Sequence, residues 1–116
     1  MIRPPVAPVA VRRREVWCVN LDPTRGSEIR KTRPAVVLTA DGLNRARRTV
    51  VVVPLSTGPA PRPPIVVATP SAGADRVAVC DQVHAIDKGR LIRRDGELAP
   101  EDLQAIEAGA RAILKL

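Results

Sequence analysis

Residues 15–39 read EVWCVNLDPTRGSEIRKTRPAVVLT, and this stretch contains the strongest indications of the fold class. Residues 15–21 are mostly β-branched or aromatic and run into Asp22-Pro23, a combination that predicts a strand followed by a turn. The apolar run 35–39 predicts a second short strand, and the polar loop before it is closed by Pro34. No long helix separates the two strands, so an antiparallel arrangement is favoured.

The rest of the chain continues the pattern of short strands. Residues 49–55 (TVVVVPL) form the most strand-like segment, and Pro54 is expected to end or bulge its ladder. Further strands are predicted at 65–68 and 76–80, paired across a turn, and at 83–86. Pro100 then opens a helix whose apolar residues recur every three to four positions. We therefore expect a mainly β fold: a small, strongly bent antiparallel barrel with a C-terminal helix.

Length and composition limit the possible functions. The 116 residues suffice for one domain, which we place at 12–116 after a flexible Pro-rich tail at 1–11. The net charge of +7 favours an anionic partner, either a nucleic acid, an anionic membrane or an acidic protein. Aromatic residues make up only 1% of the chain, which excludes a module that binds single-stranded nucleic acid by stacking its bases on many aromatic rings.

Targeting and cofactor signals are weak. No apolar run approaches the ~20 residues that cross a bilayer, and prolines interrupt the N-terminal apolar stretch, so we expect a cytoplasmic protein without a membrane partner. Cys18 and Cys80 are expected to be small buried side chains rather than a disulfide. With His84 as the only imidazole, the sequence predicts no metal site and no cofactor.

Three segments could carry chemistry. The loop 25–34 places four basic residues around Glu28, and the residues alone leave open whether it is a solvated loop or a phosphate-binding site. Ser56-Thr57 ends the strongest strand, as either turn residues or ligands. Alternation at 82–86 would place Gln82 and His84 on one face of a strand. Trp17 lies in mid-strand, where core packing is favoured over base stacking.

Three runs together resemble the MazF/PemK family of bacterial toxin endoribonucleases: EVWCVNLDPTRGSEIRKTRPAVVL, TVVVVPLST and CDQVHAIDKGRL. The resemblance extends from about residue 14 to residue 116. It implies an SH3-like barrel that works as a homodimer within a type II toxin–antitoxin system. It also implies metal-independent cleavage of single-stranded RNA at short motifs, leaving 2′,3′-cyclic phosphate and 5′-hydroxyl ends, and a cognate antitoxin with an acidic C-terminal segment.

The same resemblance assigns roles to individual residues. The family's arginine before proline falls on Arg33, its loop acid on Glu28, and its strand-end hydroxyl, most often a threonine, on Ser56. These three are the predicted catalytic residues. RNA contacts are predicted for Arg25, Ser27, Arg30, Lys31, Thr57, Gln82 and His84. The basic connection 41–48 would add Arg45, Arg47 and Arg48 along the phosphate backbone.

Two other functions fit the same fold. One is a non-enzymatic toxin that binds DNA gyrase, whose decisive contacts would lie on the terminal helix; here that helix ends ARAILKL, without a Trp or Phe anchor. The other is a basic RNA- or DNA-binding barrel that binds without cleaving. RNA cleavage in the presence of EDTA would distinguish the endoribonuclease from these two alternatives.

Overall fold

A computed structural model of the chain describes residues 10–21 and 32–116. Within these ranges it contains seven strands and two α-helices. They are β1 (Glu15–Asn20), β2 (Thr32–Val37), α1 (Asp41–Ala46), β3 (Thr49–Ser56), β4 (Val66–Ala68), β5 (Val77–Val79), β6 (His84–Asp87), β7 (Leu91–Glu97) and α2 (Pro100–Leu114). Short 3₁₀ turns cover Pro70–Ala72, Cys80–Gln82 and Lys88–Arg90.

The strands form one antiparallel sheet in the order β4-β5-β3-β2-β1-β7, and β6 pairs with β3 beside β5. This confirms the mainly β class with a terminal helix. The sheet is not closed into a hydrogen-bonded barrel, because β4 and β7 remain separate edges in the part of the chain that the structure describes. Helix α2 packs against β4 and the 3₁₀ turn Cys80–Gln82.

Both faces of the central strands are buried, which explains why their sequences are continuously apolar rather than alternating. In β3, Val50 and Val52 join a core cluster with Trp17, whereas Val53 and Leu55 join a second cluster beneath Ile106 of α2. Burying both faces removes the solvent-facing positions that would otherwise carry polar residues.

Two residues near the N-terminus, Trp17 and Val11, are buried in the core. Trp17 is only 7% exposed, and its indole N–H donates to Oε1 of the buried Glu15 at 3.0 Å, so the prediction of core packing is confirmed. Val11, which the sequence assigned to the tail, belongs to the same core cluster and is 6% exposed. The packed part of the chain therefore begins no later than Val11.

Strands β2 and β7 differ from the sequence-based expectation. Strand β2 begins at Thr32 rather than at residue 35, since β1 pairs with it through Cys18↔Pro34 and Val19↔Arg33. Strand β7 was not expected, because Leu91–Glu97 is a charged segment without apolar alternation; it forms because β1 supplies its pairing partner. No helix in the described ranges has the length and apolar character required to cross a bilayer.

Helix α2 is capped by a residue from another element. Ala99 N–H donates to Ser71 Oγ at 3.0 Å, and Asp102 Oδ2 accepts from Ser71 N–H at 2.8 Å and from the Ser71 hydroxyl. Ser71 thus accepts from the N-cap N–H, as the N3 side chain does in a capping box, and links it to the N3 residue Asp102. We expect Ser71→Ala to lower the free energy of unfolding by about 1 kcal/mol, as measured by urea denaturation. An unchanged midpoint would show that this cap contributes nothing.

The two thiols differ in accessibility. Cys80 is fully buried, and burial, reinforced by the charge of Asp81, raises its pKa to about 11. Cys18 is half-buried. Because only the thiolate is nucleophilic, we expect iodoacetamide at pH 8 to alkylate Cys18 well before Cys80 in the folded protein, as read by peptide mass spectrometry. Equal labelling of both thiols would contradict this burial.

Candidate active site

The end of β3 is flanked by an arginine on each side. Strands β2 and β3 pair through Ala35↔Pro54, so continuing this register by two residues brings Arg33 opposite Ser56. On the other edge of β3, β5 pairs through Ser56↔Val77, so the next position brings Arg76 beside Thr57. The register therefore brings both arginines to the end of β3, and both line one cavity there with the two hydroxyl residues.

These residues line one open cavity of about 290 Å³. Its wall contains both arginines and both hydroxyls, together with Pro34 and Leu55. Guanidinium and hydroxyl groups can all donate hydrogen bonds to phosphate oxygens, and the described lining contributes no carboxylate to oppose an anion. The cavity is therefore chemically suited to a phosphodiester.

Strand pairing fixes the backbone of Arg33. Its backbone lies in β2 opposite Val19 of β1, and Pro34 follows it in the same strand. The residue is half-buried, and no ion pair to it is found within residues 10–21 and 32–116. A guanidinium placed this way presents a preorganised fork of donors to the cavity.

The two hydroxyl residues differ in their surroundings. Ser56 is half-buried, and its Oγ accepts a long hydrogen bond of 3.4 Å from the Gly58 N–H. Its hydroxyl hydrogen therefore remains available to donate. Thr57 is exposed. Both line the cavity, so the choice between them as the functional hydroxyl stays open for mutagenesis.

The rest of the predicted basic loop cannot be placed. Glu28 lies outside the described residues, and so do the RNA-contact candidates Arg25, Ser27, Arg30 and Lys31. Their assignments stay predictions.

Gln82 and His84 lie apart from this cavity, and the prediction that a strand carries both is wrong for Gln82. Gln82 belongs to a 3₁₀ turn, because the chain must shift between the β3 partners β5 and β6 at this point. His84 pairs with Val52, about 13 Å along β3 from Ser56. Its Nδ1 lies 2.7 Å from the Gln82 carbonyl oxygen, which can only accept, so Nδ1 carries the proton. Nε2 of this exposed ring then faces outward.

A larger cavity, of about 610 Å³, lies elsewhere, beside α1, and includes Arg45 in its lining. Several of its polar groups bond to neighbouring segments of the chain. Asp41 Oδ1 accepts from Arg13 N–H at 2.7 Å, a bond that lowers the Asp41 pKa, and Lys88 Nζ donates to the Asn44 carbonyl. These contacts join α1 to neighbouring segments, so we interpret this region as structural. Arg47 and Arg48 are exposed in the connection to β3.

Comparison with known proteins shows the family of the chain. The family profile described as "PemK-like, MazF-like toxin of type II toxin-antitoxin system" matches residues 12–114. Endoribonuclease MazF9 of Mycobacterium tuberculosis is 33% identical over 115 residues, covering 91% of this chain and 98% of that protein. Endoribonuclease toxin MazF of Escherichia coli K12 is 37% identical over 100 residues, covering 85% and 88% respectively.

Solved structures support the fold. A MazE–MazF crystal structure from Deinococcus radiodurans superimposes with a TM-score of 0.79 at 21% identity, covering 92% of this chain and 97% of that one. The family profile spans nearly the whole described domain, and two relatives exceed 30% identity over most of their length. The chain belongs to the PemK-like, MazF-like toxins of type II toxin–antitoxin systems.

Proposed function

We propose that this toxin is an endoribonuclease that cleaves single-stranded RNA at short sequence motifs, without a metal ion. The observation that carries the proposal is the meeting of Arg33 and Ser56 in one cavity at the end of β3. The relatives named MazF9 and MazF, both endoribonucleases by name, support the same activity. Cleavage of cellular RNA would inhibit translation and growth.

The reaction is a transesterification within the RNA. The 2′-oxygen attacks the adjacent phosphorus, its P–O bond forms, the P–O5′ bond breaks, and the 2′-proton passes to a base while a proton reaches the departing 5′-oxygen. The products are a 2′,3′-cyclic phosphate and a 5′-hydroxyl. Negative charge builds on the non-bridging oxygens, where the Arg33 fork can donate two hydrogen bonds.

The other groups take supporting parts. Ser56 is a phosphate ligand rather than a nucleophile, because the attacking oxygen belongs to the RNA. Glu28 acts as the base or holds the cations of its loop in place. A guanidinium holds its protons too tightly to be a good acid, so protonation of the 5′-oxygen by Arg33 would require water or coupling to Glu28.

The RNA strand and the antitoxin would share one basic surface. We assign backbone contacts to Arg25, Arg30 and Lys31, and base-edge contacts to Gln82 and His84, with Ser27 and Thr57 near the scissile phosphate. An antitoxin with an acidic C-terminal segment would compete with RNA there. The Deinococcus MazE–MazF structure, as its name states, pairs such a toxin fold with MazE. We expect a cytoplasmic homodimer.

The deciding experiment incubates the purified protein with a long single-stranded RNA in EDTA and maps the ends produced. Cleavage at a few recurring motifs, with cyclic phosphate ends, supports the proposal. Binding without cleavage under any condition would instead favour a non-catalytic basic barrel. Gyrase inhibition without RNA cleavage would favour the topoisomerase-binding alternative.

A pair of hydroxyl variants tests the ligand at the strand end. We expect Ser56→Ala to slow cleavage about 10-fold, the effect of losing one hydrogen bond of roughly 1.4 kcal/mol in the transition state, and Thr57→Ala to have a smaller effect. Initial cleavage rates at saturating RNA measure both. Wild-type rates for both variants would remove the hydroxyl from the mechanism.

A further inference from the structure

Arg76, which the sequence analysis did not single out, lines three neighbouring cavities. One is the active-site cavity with Arg33 and Ser56, the second is a groove of about 380 Å³, and the third is a smaller cavity of about 240 Å³ that also includes Asp75. We call the second one the β7 groove; its other lining residues are Val16, Pro34, Ser71, Ala72, Arg93, Asp95, Gly96 and Glu97. Pro34 and Arg76 line both the active-site cavity and the β7 groove, so these two cavities meet at these residues.

The position of Arg76 is fixed by its own turn. Its N–H donates to the Gly73 carbonyl at 3.0 Å, and its carbonyl accepts from Thr69 N–H at 3.0 Å. Gly73 has a φ of +147°, and a Cβ added there would lie only 3.1 Å from Arg76 Cγ. The arginine stem therefore lies directly over a glycine, in space that a side chain would occupy.

The charges around Arg76 leave it available for a ligand. The two carboxylates of the β7 groove bind other arginines: Asp95 pairs with Arg93 at 2.8 Å, and Glu97 pairs with Arg14 at 3.3 Å. Arg76 itself has no ion pair in the described part of the chain. A half-buried guanidinium on a fixed backbone, without a carboxylate, favours an anion with several oxygens.

We propose that Arg76 binds an RNA phosphate next to the scissile one and directs the strand from the active-site cavity into the β7 groove. The proposal rests on the endoribonuclease function proposed above. Because this phosphate does not react, its contact is equally strong in the ground state and in the transition state. Arg76 is therefore a positioning residue that lowers KM and leaves kcat nearly unchanged.

The test compares Arg76→Gln with Arg111→Gln, which removes the same charge from an exposed position on α2. With a long single-stranded RNA, we expect Arg76→Gln to raise KM about 5- to 10-fold with kcat within twofold, and Arg111→Gln to match the wild type. Arg76→Lys should restore much of the affinity, and thermal melts of all variants verify folding.

A second readout does not require cleavage. Binding of a fully 2′-O-methylated RNA, which has no attacking hydroxyl, is measured between 50 and 300 mM salt. Losing one phosphate contact should reduce the slope of log affinity against log salt by about 0.7 for Arg76→Gln. If Arg76→Gln had the same salt slope and the same KM as Arg111→Gln, the proposed role of Arg76 would be wrong. This conclusion would hold even if Arg76→Gln bound an acidic peptide more weakly than the wild type. Absence of cleavage by the wild type would instead overturn the proposed function. The salt dependence of RNA binding would still show whether Arg76 contacts a phosphate.

Discussion

Replacing Arg33 by alanine is expected to slow RNA cleavage about 100- to 1,000-fold while leaving the fold intact. The variant removes the preorganised donors that face the developing phosphorane charge, a class of interaction that contributes roughly 3–4 kcal/mol to the barrier. Arg33 is half-buried at the β2 end of the cavity, so its truncation removes little core packing. Single-turnover cleavage of a motif-containing RNA measures the rate.

Two further variants complete this test. Arg33→Lys keeps the charge and loses the planar fork, so its rate should fall between those of the wild type and the alanine variant. Arg111→Ala, which truncates an exposed arginine of α2 outside the active-site cavity, should cleave nearly as fast as the wild type. If Arg33→Ala were no slower than Arg111→Ala, the mechanism built on this guanidinium would be wrong.

Replacing Gly109 by valine is expected to lower the free energy of unfolding by about 3 kcal/mol. Gly109 lies on the buried face of α2, and a Cβ there would stand 2.7 Å from the Pro64 carbonyl oxygen and 3.0 Å from Cys80 Sγ. The nearest atom is backbone, so the helix and the β4 segment would have to separate, at the upper end of the usual cost of overpacking.

The matched control is Ala112→Val on the exposed face of the same helix. Both variants carry valine in α2, but the control should lose only about 0.6 kcal/mol through helix propensity. Urea unfolding of the two proteins separates packing from propensity. Equal midpoints would show that α2 can move away from β4 without loss of stability.

Helix propensity alone does not explain why position 109 is a glycine. On propensity alone, Gly109 weakens a helix by about 1 kcal/mol relative to alanine. In the structure the absence of a side chain lets α2 approach the backbone at Pro64 and the thiol of Cys80. Only the packed helix shows why the residue is small.

Local sequence patterns predicted the elements that carry their own strand, turn or helix pattern. Strands β1 and β3 are marked by β-branched runs, the β4–β5 hairpin by its turn, and α2 by Pro100 and its apolar spacing. Strand β7 was not predicted, because LIRRDGE has no alternation of its own and forms by pairing with β1. The 3₁₀ turn at Gln82 likewise results from a change of partner along β3.

The sequence by itself determined the mainly β class and the terminal helix, since strand propensity and helix periodicity act over a few neighbouring residues. The catalytic role of Arg33 is a prediction from the family resemblance. The tertiary structure alone decided that Arg33 and Ser56 line one cavity and that Arg76 joins them there. These facts depend on the register between strands distant in the chain, which arises from the packing of both sheet faces rather than from any local preference.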